Sequence, residues 1–202
     1  MIVLRLGVTA AWALGFVLLA AAPPAAGDDA KPVELKVGDK APGFEAPSDA
    51  GPTWLSKDRF GKKWVVIYFY PGDFTPGCTA QANAFRDAMH KLGEKGVEVV
   101  GVSGDSADVH AKFRAAQKLN FTLLADEDGA IAKRYGVPFT KGALVKARDA
   151  DKMPFEFTRA GTAARWTFVV GKDGTIAYKN TKVTPALDAK AIAEFIDRAE
   201  GK

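Results

Sequence analysis

Cys78, the one cysteine of the chain, is the first candidate for chemistry. It ends the turn Tyr-Pro-Gly-Asp-Phe-Thr-Pro-Gly-Cys at 70–78, which directly follows the apolar run at 64–70. This order predicts a buried strand, a turn and a helix that begins at the sulfur. Peptide N–H groups at a helix start are unpaired and carry a partial positive charge, so a thiolate is stabilised there. The alternative is a buried cysteine that packs as a small hydrophobic residue.

A thiolate that attacks an electrophile needs donors for the atoms it displaces and protection from water, and the sequence offers candidates for each. Thr75 precedes the cysteine by three residues, so its hydroxyl could reach both the sulfur and a substrate oxygen. Pro71 would fix the path of the turn and shield the sulfur. The N–H groups of Gly77 and Cys78 would face an anion at the helix start. Arg165, just before a predicted strand, is the best-placed distant cation.

These residues must be positioned by alternating strands and helices. Hydrophobic periodicity predicts strands at 53–56, 64–70, 97–103, 121–125, 166–170 and 175–178, and helices at 79–95, 106–119, 129–135 and 187–199. No element is predicted for 138–164, which shows no clear periodicity. The fold class is therefore an α/β sandwich with a mixed central β-sheet flanked by helices. Sites in such sheets form at the carboxyl ends of strands, where Cys78 follows the run at 64–70.

Residues 1–27 have the pattern of an export signal. One positive charge precedes an almost wholly apolar stretch at 6–22, and small residues up to Gly27 precede Asp28. We therefore predict cleavage between Gly27 and Asp28, with an uncleaved N-terminal anchor as the alternative. The protein would then be exported, to the periplasm if its source is a Gram-negative bacterium, and residues 28–202 would form a single domain.

Charge and cysteine count exclude several classes of function. The 202 residues include 28 Lys and Arg and 24 Asp and Glu, with a formal net charge of +4. These charges are interleaved, so neither a nucleic-acid surface nor a stable membrane contact after cleavage is indicated. One cysteine cannot form a disulfide within the chain. His90 and His110 have no partners at metal-ligand spacing, so solvated histidines are predicted and no metal site.

Around Cys78 the sequence resembles the peroxiredoxins, whose signature Pro-x-x-x-Thr-x-x-Cys is met by Pro71, Thr75 and Cys78. The string at 69–79, with Phe-Arg-Asp at 85–87, is most similar to the Q-type peroxiredoxins, also called bacterioferritin comigratory proteins. This resemblance implies a thioredoxin-like fold, peroxidase activity on hydrogen peroxide or organic hydroperoxides, and no metal or organic cofactor.

The resemblance also assigns roles to individual residues. It implies that Cys78 is the peroxidatic cysteine, that Thr75 and Arg165 position the peroxide oxygens, and that Pro71 shields the site. Apart from the resemblance, Arg86 is expected to pack its stem against the same helix and to pair with Asp87 or a neighbouring acid, which gives it only a supporting role. The similarity runs from about Val37 to the closing helix and includes Arg-Trp-Thr-Phe-Val at 165–169 and Asp-Gly at 173–174.

Two residues depart from the family pattern. Asn83 occupies the position five residues after Cys78 where many Q-type members carry a resolving cysteine. The resemblance therefore implies a one-cysteine mechanism, in which an external thiol reduces the sulfenic acid; an exported thioredoxin-like protein is one candidate reductant. Gln81 stands where peroxiredoxins usually have a glutamate that orients the arginine. It can accept a hydrogen bond but lacks the charge, so a supporting role with a weaker hold on Arg165 is expected.

Three other functions compete with the peroxidase. A thioredoxin-like disulfide oxidoreductase needs Cys-x-x-Cys, whose first position is Thr75 here. A copper chaperone of similar fold would need two cysteines and a histidine together. The remaining alternative is a non-catalytic thioredoxin-fold binding module with an inert Cys78.

Overall fold

The computed structural model describes residues 33–201, and the predicted leader at 1–27 with its cleavage site lies outside them. The strands are β1 (Glu45–Ala46), β2 (Trp54–Leu55), β3 (Trp64–Phe69), β4 (Val97–Ser103), β5 (Thr122–Ala125), β6 (Phe139–Lys141), β7 (Leu144–Arg148), β8 (Pro154–Thr158), β9 (Gly161–Ala163), β10 (Trp166–Val170) and β11 (Ile176–Asn180). The α-helices are α1 (Pro76–Glu94), α2 (Ala107–Gln117), α3 (Ala130–Arg134) and α4 (Asp188–Ala199), and short 3-10 helices cover Ser56–Asp58 and Pro185–Leu187. In this described part, none of the helices has the length and apolar character needed to cross a membrane.

Five strands form the central sheet, in the spatial order β11-β10-β3-β4-β5. Strands β3, β4 and β5 run parallel to one another, whereas β10 is antiparallel to both β3 and β11. The predicted α/β fold with a mixed, helix-flanked sheet is thus confirmed. Strand β3 is central, and its residues from Val65 to Phe69 are almost completely buried. This burial on both faces explains why β3 is a continuous apolar run and not an alternating one.

Alternate residues of β3 face different hydrophobic cores. On one face, Tyr68 belongs to a buried cluster with Phe85 of α1 and Ile192 of α4. On the other face, Phe69 belongs to a cluster with Tyr135, which follows α3. Helices α1 and α4 therefore cover the same face of the sheet, and near their starts Gln81 of α1 is hydrogen-bonded to Asp188 of α4.

The segment 138–164 contains two antiparallel strand pairs that the sequence does not predict. Strand β6 pairs with β9, and β7 with β8 forms a hairpin. Each hairpin strand alternates exposed with half-buried residues, because only one face is covered. The rings of Phe155 and Phe157 on that face lie 5.3 and 6.3 Å from the ring of Phe74. The hairpin thus packs beside the turn that precedes Cys78.

Candidate active site

Helix α1 begins at Pro76, two residues earlier than the sequence predicts, so Cys78 is its third residue. Proline suits the first helical position, where an N–H would have no partner. Helical hydrogen bonding begins with the N–H of Thr79, which donates to the carbonyl of Thr75 at 2.9 Å. The N–H groups of Gly77 and Cys78 precede that bond and belong to the open donors of the helix start. The sulfur therefore lies at the end of the helix that carries positive partial charge.

The sulfur of Cys78 is buried and contacts an arginine. Cys78 is 1 % exposed, and Arg165 Nη2 donates a hydrogen bond to its Sγ at 3.1 Å. A guanidinium is charged at all physiological pH values, so an anionic sulfur is its best acceptor here. Thr75, Gly77 and Arg165 are only half-buried, which places the sulfur just below the protein surface.

Strand pairing explains how Arg165 reaches Cys78. Strand β10 is antiparallel to β3, and the residue after Arg165 pairs with Phe69 at the end of β3. The start of β10 therefore lies beside the turn that leads to the cysteine. Side chains alternate along a strand, so Arg165 and Thr167 share one face of β10. Thr167 pairs with Tyr68, whose ring stacks on a phenylalanine of α1, and this face is therefore the one that α1 covers.

A chain of hydrogen bonds holds the second terminal nitrogen of Arg165. Arg165 Nη1 donates to Gln81 Oε1. Gln81 Nε2 donates to Asp188 Oδ2 at 2.7 Å, and Thr167 Oγ1 donates to the same oxygen at 2.7 Å. Burial raises the pKa of Asp188, while the hydrogen bonds from Thr167 and Gln81 and the charge of Arg165 act against that rise. Residues of α1, β10 and α4 thus converge on one guanidinium.

The other predicted residues of the turn lie in the same region but make different contacts. The hydroxyl of Thr75 donates to the carbonyl of Gly72 at 3.1 Å and not to the sulfur. Gly77 lies against Arg165, because a Cβ at this position would be 3.4 Å from Nη2. Pro71 is half-buried in the turn. The structure therefore brings Cys78, Gly77 and Arg165 into direct proximity and leaves the hydroxyl oxygen of Thr75 free to accept a hydrogen bond.

Arg86 lies at the junction of α1 and α2. Its Nε donates to Asp87 Oδ1 at 2.8 Å, and its Nη1 donates to Asn83 Oδ1 at 3.0 Å and to the carbonyl of Gln117 at 2.8 Å. Within residues 33–201, its hydrogen bonds include neither Cys78 nor the site arginine. Any support that Arg86 gives to the site therefore acts through the placement of α1.

A second buried polar cluster, which the sequence analysis does not predict, lies at the turn. Asp73 is 0 % exposed; its Oδ1 accepts from the hydroxyl of Tyr70 at 2.8 Å, and its Oδ2 lies 2.8 Å from His110 Nδ1. His110 Nε2 lies 3.2 Å from the carbonyl of Leu124. A carboxylate and a carbonyl both accept, so the imidazolium form of His110, in which both ring nitrogens donate, satisfies both contacts. His90, in contrast, is exposed.

The prediction of a solvated side chain is therefore wrong for His110. The residue lies three positions before Phe113 on the buried face of α2, and this spacing is a signal of burial that the sequence does contain. Burial alone would lower the pKa of His110, but the charge and hydrogen bond of Asp73, together with Asp105 and Asp49, raise it. The surroundings of His110 thus favour its charged form beside a buried carboxylate at the turn.

Arg159, from the segment 138–164, completes this cluster. Its Nε donates to Asp105 Oδ1 at 2.8 Å, and its Nη2 donates to the carbonyl of Asp73 at 2.8 Å. Asp105 also accepts from the N–H of Asp73 at 2.7 Å. The guanidinium lies over Gly72, where a Cβ would be 2.0 Å from Nε. Arg159 and Gly72 together determine the path of the turn.

The chemistry open to this arrangement is nucleophilic. A sulfur beside a guanidinium and open N–H donors can attack an electrophilic atom while the same donors stabilise charge on the group that leaves. Across residues 33–201, no group of three or more His, Cys, Asp or Glu side chains is placed to hold a metal ion.

Comparisons with known proteins agree with this chemistry. Residues 37–179 match the AhpC/TSA family. The chain is 37 % identical over 144 residues to peroxiredoxin Bcp of Escherichia coli, covering 71 % of this chain and 84 % of that protein. It is 41 % identical over 145 residues to chloroplastic peroxiredoxin Q of Oryza sativa, covering 72 % and 58 %.

A solved structure supports the same relationship. The bacterioferritin comigratory protein of Xanthomonas campestris, in a study of its alkyl peroxide reduction activity, superposes with a TM-score of 0.62 at 26 % identity over 79 % of this chain and 92 % of that one. Its fold matches the sheet and helices that position Cys78 here. The chain therefore belongs to the AhpC/TSA family and is a peroxiredoxin of the Q type, as the residues around Cys78 predicted.

Proposed function

We propose that this peroxiredoxin reduces hydrogen peroxide or organic hydroperoxides at Cys78, in a one-cysteine cycle that an external thiol completes. The observation that carries the proposal is the 3.1 Å contact between Arg165 and the sulfur of the chain's one cysteine at a helix start. A cysteine that only fills space in a core needs no cation beside it, and partly burying a guanidinium has a desolvation cost. The alkyl peroxide activity of the Xanthomonas protein supports including organic substrates.

In the first step, the Cys78 thiolate attacks one oxygen of the peroxide. A sulfur–oxygen bond forms, the oxygen–oxygen bond breaks, and the other oxygen leaves as hydroxide or alkoxide, which takes up a proton. Negative charge therefore moves from the sulfur to the leaving oxygen. Arg165 and the N–H groups of Gly77 and Cys78 stabilise that charge. The product on the enzyme is a sulfenic acid.

Thr75 supplies an acceptor in this step. Because its hydroxyl proton is directed to the carbonyl of Gly72 at 3.1 Å, the oxygen presents lone pairs to the site. An organic hydroperoxide carries one O–H group and hydrogen peroxide carries two, and Thr75 Oγ1 accepts a hydrogen bond from one of them. Arg165 donates to the peroxide oxygens, so the two residues together hold the peroxide through one acceptor and one donor group.

The second step needs a thiol from outside the chain. Asn83 is the residue five positions after Cys78, and the sequence contains no other cysteine. A thiol attacks the sulfenic sulfur, releases water and forms a mixed disulfide with Cys78. A second thiol then attacks the sulfur that the first external thiol contributed to that disulfide. This step releases the Cys78 thiolate and leaves the two external thiols joined as a disulfide. The two electrons that reduce the peroxide thus come from two external thiols.

The leader pattern at 1–27 supports a location outside the cytoplasm, the periplasm in a Gram-negative source. We propose that an exported thioredoxin-like protein is the reductant, because the space outside the cytoplasm lacks the cytoplasmic thiol pool. Expression of the full chain with cell fractionation and N-terminal sequencing tests the location; mature protein beginning at Asp28 in the exported fraction is expected. Protein that stays in the cytoplasm with its leader intact would overturn the proposed location.

The peroxidase proposal is tested by trapping the intermediate. One equivalent of hydrogen peroxide added to the reduced protein, followed by dimedone and peptide mass spectrometry, should place one adduct on Cys78. Addition of excess dithiothreitol should then give continuous peroxide consumption, and Cys78→Ser should give none. Absence of an adduct and of turnover in the folded protein would favour the non-catalytic binding module.

A further inference from the structure

Asp188 is a buried carboxylate connected to Arg165 through a neutral side chain. It is 2 % exposed and begins α4. Its Oδ2 accepts from Gln81 Nε2 and from Thr167 Oγ1, both at 2.7 Å, and Gln81 Oε1 accepts from Arg165. Among the described residues, Asp188 Oδ1 is buried with no hydrogen-bond partner. Buried polar atoms usually have a hydrogen-bond partner, so this carboxylate calls for an explanation beyond its place in the first turn of a helix.

The contacts of Gln81 determine the direction of its amide. The amide nitrogen can only donate and must face the carboxylate, and the amide oxygen can only accept and must face the guanidinium. Gln81 therefore aligns its dipole between Asp188 and Arg165, with its positive end toward the anion and its negative end toward the cation. Hydrogen bonds in such a series polarise one another, so the charge of Asp188 strengthens the acceptor that Arg165 contacts.

The charge state that this geometry favours is the carboxylate. Both partners of Asp188 Oδ2 donate to it, and the first turn of α4 contributes positive partial charge. The guanidinium of Arg165 lies beyond Gln81 and is otherwise directed at Cys78 Sγ, 3.1 Å away. Arg165 is thus held between two acceptors, the sulfur on one terminal nitrogen and the Gln81–Asp188 pair on the other.

We propose that Asp188 is a positioning residue, which acts through Gln81 to orient Arg165 toward the sulfur of Cys78. The proposal rests on the peroxidase function above. It assigns to two residues, a neutral amide on α1 and a carboxylate on α4, the task of holding one guanidinium. Without the charge at 188, the guanidinium keeps its hydrogen bond to Gln81 but loses the field that aligns the amide, and its contact with the sulfur weakens.

The test moves the charge from one residue to the other. Asp188→Asn should slow oxidation of Cys78 by hydrogen peroxide roughly tenfold, the size expected from weakening one charge-assisted hydrogen bond. The double variant Gln81→Glu/Asp188→Asn should recover most of the wild-type rate, because a carboxylate at 81 contacts Arg165 directly and the amide at 188 donates to it. A residue with a merely structural role would not be rescued in this way.

Controls separate charge from folding. Asp108→Asn removes an exposed aspartate from the first turn of α2 and should leave the rate unchanged. Gln81→Met keeps the side-chain volume but interrupts the connection, so it should slow oxidation as Asp188→Asn does; it also gives an answer if Asp188→Asn does not fold. Circular dichroism and urea unfolding confirm that each variant is compared in its folded state.

The outcomes distinguish this proposal from the peroxidase function. Wild-type protein that reacts no faster than free cysteine would overturn the function itself. Wild-type protein that reacts fast, together with Asp188→Asn and Gln81→Met at the same rate, would overturn only the positioning role. The role would also be wrong if the double variant were no faster than Asp188→Asn.

Discussion

The guanidinium of Arg165 lies 3.1 Å from the sulfur of Cys78, although the two residues are 87 positions apart in the chain. The antiparallel pairing of β10 with β3 brings them together, because it sets the start of one strand beside the end of the other. The N–H groups at the start of α1 add partial positive charge near the sulfur. The reactive site thus depends on a local turn and on one non-local strand pair.

Replacing Arg165 should slow the reaction without unfolding the protein. Arg165→Ala removes the donor to the sulfur and to the leaving oxygen, so we expect the rate constant with hydrogen peroxide to fall by roughly ten- to a hundredfold. Arg165→Lys keeps the charge but not the two terminal nitrogens of the guanidinium, so its rate constant should lie between those of the wild type and Arg165→Ala. The matched control is Arg148→Ala, an exposed arginine of β7 that donates to the carbonyl of Lys152. Equal rates for wild type and Arg165→Ala in stopped-flow measurements would remove Arg165 from the site.

Adding one methyl group at Gly72 should disturb the turn. Its φ is +155°, and a Cβ would lie 2.0 Å from Arg159 Nε and Cζ, so Arg159 must release its bonds to Asp105 and to the carbonyl of Asp73. We expect Gly72→Ala to lower the free energy of unfolding by about 1–3 kcal/mol. The rate of Cys78 oxidation should fall as well.

The control for this change is Gly93→Ala, near the end of α1. Nothing lies within 4 Å of a Cβ at that position, so alanine should increase the free energy of unfolding by about 0.5–1 kcal/mol. Urea denaturation followed by tryptophan fluorescence measures both variants. If Gly72→Ala were as stable as the wild type, the close packing of Arg159 over the turn would be disproved.

The His110–Asp73 pair predicts a specific pH dependence of stability. The pKa of His110 is raised in the folded protein: burial lowers it, but the charge and hydrogen bond of Asp73 and the charges of Asp105 and Asp49 together outweigh that effect. The stabilisation from the charged pair is therefore complete below the unfolded-state pKa of about 6.5, and it is lost as the pH rises through the folded-state value. Wild type should exceed His110→Asn in free energy of unfolding by roughly 1–3 kcal/mol at low pH, and by less at high pH.

His90→Asn provides the matched comparison, since His90 is exposed and its nearest carboxylate, Glu94, is 3.5 Å away on the surface. That variant should resemble the wild type at every pH, because exposed ion pairs contribute little. Denaturant titrations from mildly acidic to alkaline pH give the comparison. A difference between wild type and His110→Asn that did not change with pH would show that His110 is not charged in the native state.

Asn83→Cys should form a disulfide with Cys78 only if α1 opens. Residues five apart in an α-helix have Cα atoms about 8.6 Å apart, whereas a disulfide needs about 7 Å or less. Peroxide treatment should therefore give an intramolecular disulfide together with a smaller helical signal in circular dichroism. Cys78→Ser/Asn83→Cys should show neither change. Disulfide formation with an unchanged helical signal would contradict the helical geometry at Cys78.

The sequence predicts the strands of the central sheet well and the surroundings of the site only in part. The bounds predicted for the second central strand, 97–103, are those of β4, because a continuous apolar run is a strong signal. The strands β7 and β8 in the segment 138–164 are not predicted, although each alternates exposed with half-buried residues over five positions, which is a strand pattern that the sequence does contain. Local periodicity carries no information on which distant residues meet. Asp188 and Arg159 therefore emerge only from the folded chain.

The same limit explains the error at His110. Its position on the inner face of α2 was readable, but the acid that binds it, Asp73, lies 37 positions earlier in the turn. Polar side chains are usually exposed, and only the presence of a partner reverses that expectation. The turn motif points to Thr75 and Cys78, whereas the buried pair depends on the fold, which places His110 of α2 between the turn and Leu124 of β5.

Two features activate the sulfur of Cys78, its position at the start of α1 and the guanidinium of Arg165. The most direct test is the second-order rate constant for the reaction of the fully reduced wild-type protein with hydrogen peroxide, measured beside free cysteine at the same pH. We expect the protein to react at least about a hundredfold faster, as preorganised donors at a developing anion require. A rate constant equal to that of free cysteine would show that neither the helix start nor Arg165 activates the sulfur.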